Sequence, residues 1–252
     1  MSRIGLVVVI LSFICVQEIL NAKIADILDA PYMAAVLYRE EGKFRFRCNG
    51  AIISISHVLI TATCLGDSYN RDSILSRDIL VRVGSSFHYK GGRIHTVTGK
   101  RTHYNFSPDL DADIAVLTLY QPLKFSNRVA VVNLPKQDAV IHSSTDAVIT
   151  YFRERKFSDE VFASSMEQIT NFDITTIFAC NSYFRTKPPL QDLVTENMIC
   201  TRIEYSEPIV SPAAPLVFNG TVYGIFSWER MNSGSKGIFT RVSAFSRWIK
   251  HW

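Results

Sequence analysis

Short segments dense in β-branched and aromatic residues, separated by turn residues, constrain the fold of this chain more than any other feature. They recur at 50–61, 79–84, 114–119 and 215–226. Residues of these types favour strands. Long amphipathic helical patterns are absent until the end of the chain. The sequence therefore predicts an all-β protein.

Two local patterns predict the elements near the C-terminus. Asn219-Gly220 lies at the centre of 215–226 and suits a type I′ turn, because both residues tolerate positive φ. Ser243 is a residue type that caps helices. Apolar residues around and after it fall on one helical face; these are Val242, Phe245, Trp248, Ile249 and Trp252. We therefore expect a hairpin and then a C-terminal α-helix.

The first 22 residues have the layout of a secretory signal peptide. A basic start at Arg3 precedes an apolar run at 4–16, and small residues follow at Asn21-Ala22. The run is shorter than the roughly 20 residues that span a bilayer; a short membrane anchor is the alternative. We therefore predict a signal peptide at 1–22 and one domain at 23–252, which is secreted and has no membrane contact after signal removal.

Removal of the signal peptide would take Cys15 and leave four of the five cysteines. These are Cys48, Cys64, Cys180 and Cys200. An even number in an exported chain favours two disulfides, and spacing alone does not choose among the pairings. The cysteines lack the close spacing of zinc ligands, and no carboxylates have the spacing of a calcium site. We expect no metal and no cofactor.

Composition and charge argue for a folded protein that does not bind nucleic acid. The chain is 47% hydrophobic, which is enough for a packed core and unlike a disordered chain. Its formal net charge is +4, from 27 Lys and Arg against 23 Asp and Glu. A nucleic-acid-binding domain usually concentrates far more positive charge on one face. We therefore expect no nucleic-acid partner.

Several segments, taken in order, resemble landmarks of the trypsin/chymotrypsin-like serine proteases. They are 48–54 (C-N-G-A-I-I-S, for the family's C-G-G-[ST]-[IL]-I-S), 57–64 (H-V-L-I-T-A-T-C, for W-V-L-T-A-A-H-C), 113–117 (D-I-A-V-L, for D-I-A-L-[LI]), 225–228 (I-F-S-W, for I-V-S-W) and 237–243 (G-I-F-T-R-V-S, for G-[VI]-Y-T-R-V-S). The resemblance runs from about Pro31 to Trp252. It implies two packed six-stranded Greek-key β-barrels with a C-terminal α-helix, and the disulfides Cys48–Cys64 and Cys180–Cys200.

The chain departs from this family at the catalytic positions. The resemblance places Thr63 at the position of the general base and Pro212 at that of the nucleophile, and leaves Asp113 as the orienting carboxylate. A threonine hydroxyl has no usable basicity at neutral pH. Proline offers neither a hydroxyl nor an N–H for an oxyanion hole. A rewired pair of Ser211 and His57 is the alternative; we expect His57 to be an ordinary strand residue.

The substrate pocket and the activation site implied by the resemblance differ as well. Ser206 would lie at the base of the specificity pocket and Glu229 at its mouth, and Gly237 is a third position of this pocket. The segment at 23–26 lacks the family's I-V-G-G, and Ser211 replaces the Asp that pairs with the new N-terminus. An uncharged side chain offers nothing to a buried ammonium. We infer no zymogen activation.

These departures predict a non-catalytic serine protease homologue of the insect type. Such a protein would bind an extracellular protein (a protease, its substrate or an inhibitor) as cofactor, decoy or regulator of a proteolytic cascade. The alternatives are an endopeptidase with residual or rewired activity and a secreted glycan- or polyanion-binding protein. The segments 38–47 and 100–104 are candidate binding surfaces, or else ordinary solvated segments. The sequon at Asn219 predicts glycosylation.

Overall fold

The computed structural model describes most of the chain from Ala22 to His251. The described residues are 22–66, 74–107, 111–141, 146–153, 155–157, 160–162, 165–170, 172–185, 194–202, 211–230 and 236–251. The predicted signal peptide, apart from Ala22, lies outside these residues, and so does Ser206. Within the described ranges, no helix is long and apolar enough to cross a membrane.

Six antiparallel strands of the first half close into a barrel. The strands of this half are β1 (Ala22–Ile24), β2 (Met33–Glu40), β3 (Lys43–Ile52), β4 (His57–Ile60), β5 (Ile79–Val83), β6 (Arg93–Thr102) and β7 (Ala115–Leu119). The barrel runs in the order β2-β3-β4-β7-β6-β5, and β1 pairs instead with the sheet of the second half. Val36, Ile52 and Leu117 are among the fully buried residues of one core cluster in this half. The alternating β-branched residues thus fill the barrel interior.

The second half forms an eight-stranded antiparallel sheet, a half-barrel. The strands of this half of the chain are β8 (Val148–Phe152), β9 (Arg155–Phe157), β10 (Glu160–Phe162), β11 (Met166–Ile169), β12 (Asp173–Thr175), β13 (Met198–Arg202), β14 (Pro215–Phe218), β15 (Thr221–Arg230) and β16 (Lys236–Arg241). The order is β1-β11-β8-β14-β15-β16-β13-β12, while β9 and β10 pair only with each other. The all-β prediction is confirmed. The second half differs from the expected six-stranded barrel because β1 and β12 extend its sheet at two edges.

An apolar cluster and two disulfides hold these elements together. The cluster joins residues of both halves, among them Leu59, Ile114, Val222 and Ile225. The disulfides are Cys48–Cys64 and Cys180–Cys200, the pairing implied by the resemblance. Cys64 lies in a 3₁₀ turn (Ala62–Leu65) that directly follows β4. The first disulfide therefore fixes this turn to β3.

The predicted hairpin at Asn219-Gly220 is confirmed. The two residues connect β14 to β15 with φ of 47° and 67°. Both values lie in the left-handed region that a type I′ turn requires. Asn and Gly occur at these two positions because they tolerate the positive φ that the turn requires.

The predicted C-terminal helix is present, but the expected cap is wrong. A 3₁₀ turn (Val242–Phe245) leads into α-helix Ser246–Lys250. Ser243 is fully buried and its Oγ has no hydrogen-bond partner. Gln137 holds the two turns instead, since its Oε1 accepts from the N–H of Arg247 at 3.0 Å and its Nε2 donates to Ala244 O at 2.9 Å. A side chain distant in sequence thus replaces the local cap.

Two further short helical elements were not predicted. One is a 3₁₀ turn (Ser76–Asp78), and the other is α1 (Ile177–Arg185); the C-terminal helix Ser246–Lys250 is therefore α2. Thr176 begins α1, because its Oγ1 accepts from the N–H of Ala179 at 3.1 Å.

Candidate active site

The carboxylate of Asp113 is fully buried and hydrogen-bonded by hydroxyl and amide groups. Its Oδ1 accepts from the N–H of Thr63 at 2.8 Å, and its Oδ2 accepts from Thr63 Oγ1 at 3.0 Å. Ser227 Oγ also donates to Oδ2, at 2.5 Å. These donors, together with the backbone N–H of Ala62, satisfy the buried carboxylate.

Separate elements bring these groups together. Thr63 lies in the 3₁₀ turn after β4, Asp113 comes just before β7, and Ser227 lies on β15 of the second half. Thr240 on β16 donates its Oγ1 to the backbone oxygen of Asp113 at 2.8 Å. The site therefore lies at the junction of the two halves, where the family has its catalytic centre.

Burial raises the pKa of the Asp113 carboxyl, and hydrogen bonds from Ser227, Thr63 and Ala62 oppose that rise. Thr63 Oγ1 lies between two oxygens, Asp113 Oδ2 and Thr61 Oγ1, the latter at 3.1 Å. A hydroxyl that donates to a carboxylate is held in place but does not gain the basicity of an imidazole. The arrangement stabilises a carboxylate and orients hydroxyl groups.

Imidazole groups lie elsewhere in the described part of the chain. The histidines described are His57, His88, His95, His103 and His251, and none is among the partners of Asp113. His57 begins β4, at the opposite end of the strand from Thr63, and its Nδ1 is hydrogen-bonded to Ser54 Oγ at 2.8 Å. Ser54 Oγ also accepts from the N–H of Ser56 at 3.1 Å, as in a tight turn. His57 is therefore the ordinary strand residue that we expected.

The segment at the predicted nucleophile position is held by Asn49. The N–H of Asn49 donates to Pro212 O at 2.9 Å, and its Nδ2 donates to the same oxygen at 3.1 Å. The Nδ2 also donates to Ser211 Oγ at 2.5 Å, and Asn49 Oδ1 accepts from the N–H of Phe152 at 2.8 Å. Asn49 thereby connects β3 to β8 and to the loop that carries Pro212.

Ser211 is buried and fully engaged. Its Oγ donates to Phe152 O at 2.9 Å, so it does not donate to an imidazole. Ile24, in the segment that stands in place of the family's I-V-G-G, lies on β1 opposite Glu167, with 72% of its surface exposed.

Ala213, which follows Pro212 in the same loop as Ser211, has a φ of 60°, a left-handed conformation that normally favours glycine. The loop therefore keeps a glycine-type backbone without a glycine.

Glu229, Gly237 and Asn219 are not among the hydrogen-bond partners of the Asp113 carboxylate. Glu229 and Gly237 are directly opposite each other in the β15–β16 ladder. Gly237 is buried, and its oxygen accepts from Thr201 Oγ1 at 3.1 Å. Ser206 lies outside the described residues. Asn219, the predicted glycosylation site, is exposed in its hairpin turn. Among the three predicted catalytic positions, Thr63, Asp113 and Pro212, the structure shows a hydrogen bond only between Thr63 and Asp113.

A family model described as Trypsin matches residues 19–249 of the chain. The chain belongs to the trypsin family. Curated relatives are similar over most of its length. It is 28% identical to a trypsin of Phaedon cochleariae, over 92% of this chain and 87% of that protein. It is 27% identical to "Trypsin, alkaline A" of Manduca sexta, over 93% of this chain and 91% of that protein.

Solved structures of the same fold include inactive relatives. The scabies mite inactivated protease paralogue S-D1 superposes with a TM-score of 0.77 at 22% identity, over 91% of this chain and 95% of that chain. The scabies mite inactivated protease paralogue S-I1 gives a TM-score of 0.74 at 19% identity, over 91% and 97%. At these identities the likeness shows the fold alone.

Sequence reasoning missed two residues of the site, Asn49 and Ser227. Both were visible as members of family-like segments. Asn49 replaces the first glycine of C-G-G, and Ser227 keeps the serine of I-V-S-W. The asparagine replacement could have indicated a polar side chain where the family has none. Its partners, which are 103 and 162 residues away, could not be read from the sequence.

Proposed function

We propose that this chain is a secreted, non-catalytic serine protease homologue that acts by binding another protein in an extracellular proteolytic cascade. The observation that carries this proposal is the environment of Asp113. Its side-chain partners in the described part of the chain are Thr63 and Ser227. Neither hydroxyl accepts a proton from a nucleophile at neutral pH. In this proposal the buried carboxylate serves the structure alone.

Pro212 supports the same conclusion independently. If this residue takes the nucleophile position, the site has no hydroxyl there, and it lacks the backbone N–H that helps to stabilise the oxyanion. Loss of one such donor lowers kcat by about 10²–10³-fold. Two solved structures of this fold are titled inactivated protease paralogues, which supports a non-catalytic role. Because the curated relatives are named trypsins, an active peptidase is the competing hypothesis for the function of this chain.

A groove on the first barrel is the proposed docking surface. We call it the basic groove; it has a volume of about 540 Å³ and its lining includes Phe44, Arg45, Arg47, Arg82 and Tyr89. Phe44 and Tyr89 expose 36% and 43% of their surface. Aromatic residues and arginine are the types enriched at the centres of protein interfaces. Part of its lining comes from the candidate segment 38–47, and the rest includes residues of β5 and of the loop that follows β5.

The charge of the basic groove favours an acidic partner segment. Arg45 is 3.8 Å from Glu40 in an exposed ion pair, which contributes little. Arg47 forms no ion pair with a described residue and is exposed. The side chain of Arg82 is already hydrogen-bonded to the loop after β5, since its Nε donates to His88 O at 2.9 Å. The partner we propose is therefore a protein segment that combines carboxylates with apolar side chains.

Charge reversal tests this docking surface. The purified chain and an Arg45→Glu/Arg47→Glu variant would be used to capture proteins from the native extracellular fluid. We expect the wild type to retain a protease, a protease substrate or an inhibitor, and the variant to lose it. Lys100→Glu/Arg101→Glu provides the matched control, because it makes the same change of charge on the second candidate segment. Equal capture by both variants would contradict the docking site.

A heparin column separates this proposal from polyanion binding. A polyanion has no apolar side chains to fill the space between Phe44 and Tyr89, and its binding depends strongly on salt. We expect weak heparin retention that is lost near physiological salt. Firm retention, together with no protein captured from the fluid, would favour a glycan-binding function instead.

A further inference from the structure

A second cavity, in the other half of the molecule, is lined by the half-buried side chain of Arg241. It has a volume of about 270 Å³, and it lies between β12, β13, the start of α1 and residues 139–141. Its apolar walls include Ile141, Ile174, Ile177 and Met198, and Arg241 lines it as well. We call it the Arg241 pocket. None of its lining residues is a partner of the Asp113 carboxylate.

The guanidinium of Arg241 has no partner among the described residues. Its Nε is buried and makes no hydrogen bond. The backbone N–H of Arg241 donates to Asn197 O at 2.8 Å, which fixes the strand but leaves the side chain unpaired. Glu196 also lines the pocket, but it is exposed and forms no ion pair with Arg241. A buried donor without an acceptor carries an uncompensated desolvation cost, which an anion would remove.

The first turn of α1 adds to the positive potential of the same pocket. Thr176 and Ile177, the cap and first residue of this nine-residue helix, form part of the wall. The first backbone N–H groups of a helix have no intrahelical acceptors, and the helix dipole is positive at this end. A helix start and an unpaired guanidinium in one cavity together favour a negatively charged ligand.

The walls and the rim limit which anion fits. Isoleucine and methionine side chains form a large part of the wall, so an inorganic anion would leave apolar surface unused. The exposed carboxylate of Glu196 disfavours a ligand with several negative charges. The volume is near the lower end of small-molecule sites. We propose that the Arg241 pocket binds a small monocarboxylate with an apolar body, whose carboxylate is held by the Arg241 guanidinium and the start of α1.

Titration calorimetry with octanoate tests this site, with 1-octanol and inorganic phosphate as controls for the tail and the charge. N-acetyl-leucine separates a free fatty carboxylate from the carboxyl terminus of a peptide. We expect saturable binding of octanoate or of N-acetyl-leucine, and much weaker binding of the two controls. No saturable binding of either carboxylate by the wild type, or octanol binding as tight as octanoate binding, would overturn the proposal.

Arg241→Met keeps the apolar stem of the side chain and removes the charge. We expect it to weaken carboxylate binding at least about tenfold, the size of one lost charge-assisted hydrogen bond. Its melting temperature without ligand should be no lower than that of the wild type, because an unsatisfied buried donor is removed. Arg247→Met, on the exposed side of α2, is the matched control and should bind as the wild type does.

Val140→Glu is a second, independent variant. Val140 lines the pocket but is 61% exposed, so a glutamate is tolerated there and places a negative charge at the entrance. We expect weaker carboxylate binding in this variant as well. Undiminished affinity in both Arg241→Met and Val140→Glu would show that the ligand binds elsewhere and would exclude this site.

Discussion

The hydroxyl of Thr63 stabilises the buried carboxylate of Asp113 through one hydrogen bond. Thr63→Val keeps the shape of the side chain but removes the donor 3.0 Å from Oδ2. A hydrogen bond to a charged group contributes about 1.5–3 kcal/mol, so we expect the free energy of unfolding to fall by about 2 kcal/mol. Urea unfolding at neutral pH measures the change.

Thr98→Val is the matched control for that substitution. Thr98 is exposed on β6, and its Oγ1 is 3.3 Å from the neutral acceptor Thr118 O. We expect this change to alter stability by no more than about 0.5 kcal/mol. Equal losses in the two variants would show that the Thr63–Asp113 contact has no special role.

A buried imidazole, His88, gives the stability a pH dependence of known sign. Burial and then the nearby charge of Arg82 lower the pKa of His88 from 6.5 to about 4. Between these values the unfolded chain binds more protons than the folded chain, so this group makes stability rise with pH. The contribution is at most roughly 3 kcal/mol across that window.

His88→Phe removes this contribution and keeps an aromatic ring, which packs 4.6 Å from Phe46 in the wild type. We expect the variant to lose less stability than the wild type when the pH is lowered from 6.5 to 4, as measured by urea unfolding at each pH. His251→Phe is the control, since His251 is exposed and should leave the wild-type slope unchanged. A His88→Phe slope equal to that of the wild type would refute the assignment.

Asn49 links three elements, β3, β8 and the loop that carries Pro212. Asn49→Gly restores the residue of the family's motif but leaves the N–H of Phe152 without its acceptor. Because the site is fully buried, we expect a loss of about 2–4 kcal/mol in the free energy of unfolding. Asn127→Gly in an exposed turn is the control for the backbone effect of glycine. A loss no greater than in the control would contradict the linking role of Asn49.

Elements set by local chemistry could be predicted from the sequence, and those set by distant partners could not. Asn219-Gly220 determines its hairpin because positive φ is needed within the turn itself. The expected Ser243 cap is wrong because Gln137, more than 100 residues away, binds the C-terminal turns. Helix α1 escaped detection because it is short, so its apolar residues form no long periodic pattern.

At the scale of the whole molecule, the order of family-like segments predicted the fold and both disulfides. The contact between Thr63 and Asp113 follows from that alignment, because the turn after β4 and the start of β7 meet in this fold. The Asn49 network and the Arg241 pocket did not follow from it. Asn49 and Arg241 lie in family-like segments, but their surroundings depend on side chains from elements that are far apart in sequence.

Reaction with a fluorophosphonate probe for active-site serines tests the absence of catalysis most directly. A trypsin serves as the positive control, and Ser211→Ala and Thr63→His/Pro212→Ser are treated alongside the wild type. We predict no labelling of the folded wild type beyond that of a heat-denatured sample. The double variant should recover little, because Ser211 and Glu229 still replace the residues of the family. Stoichiometric labelling of the wild type that disappears in Ser211→Ala would contradict the account.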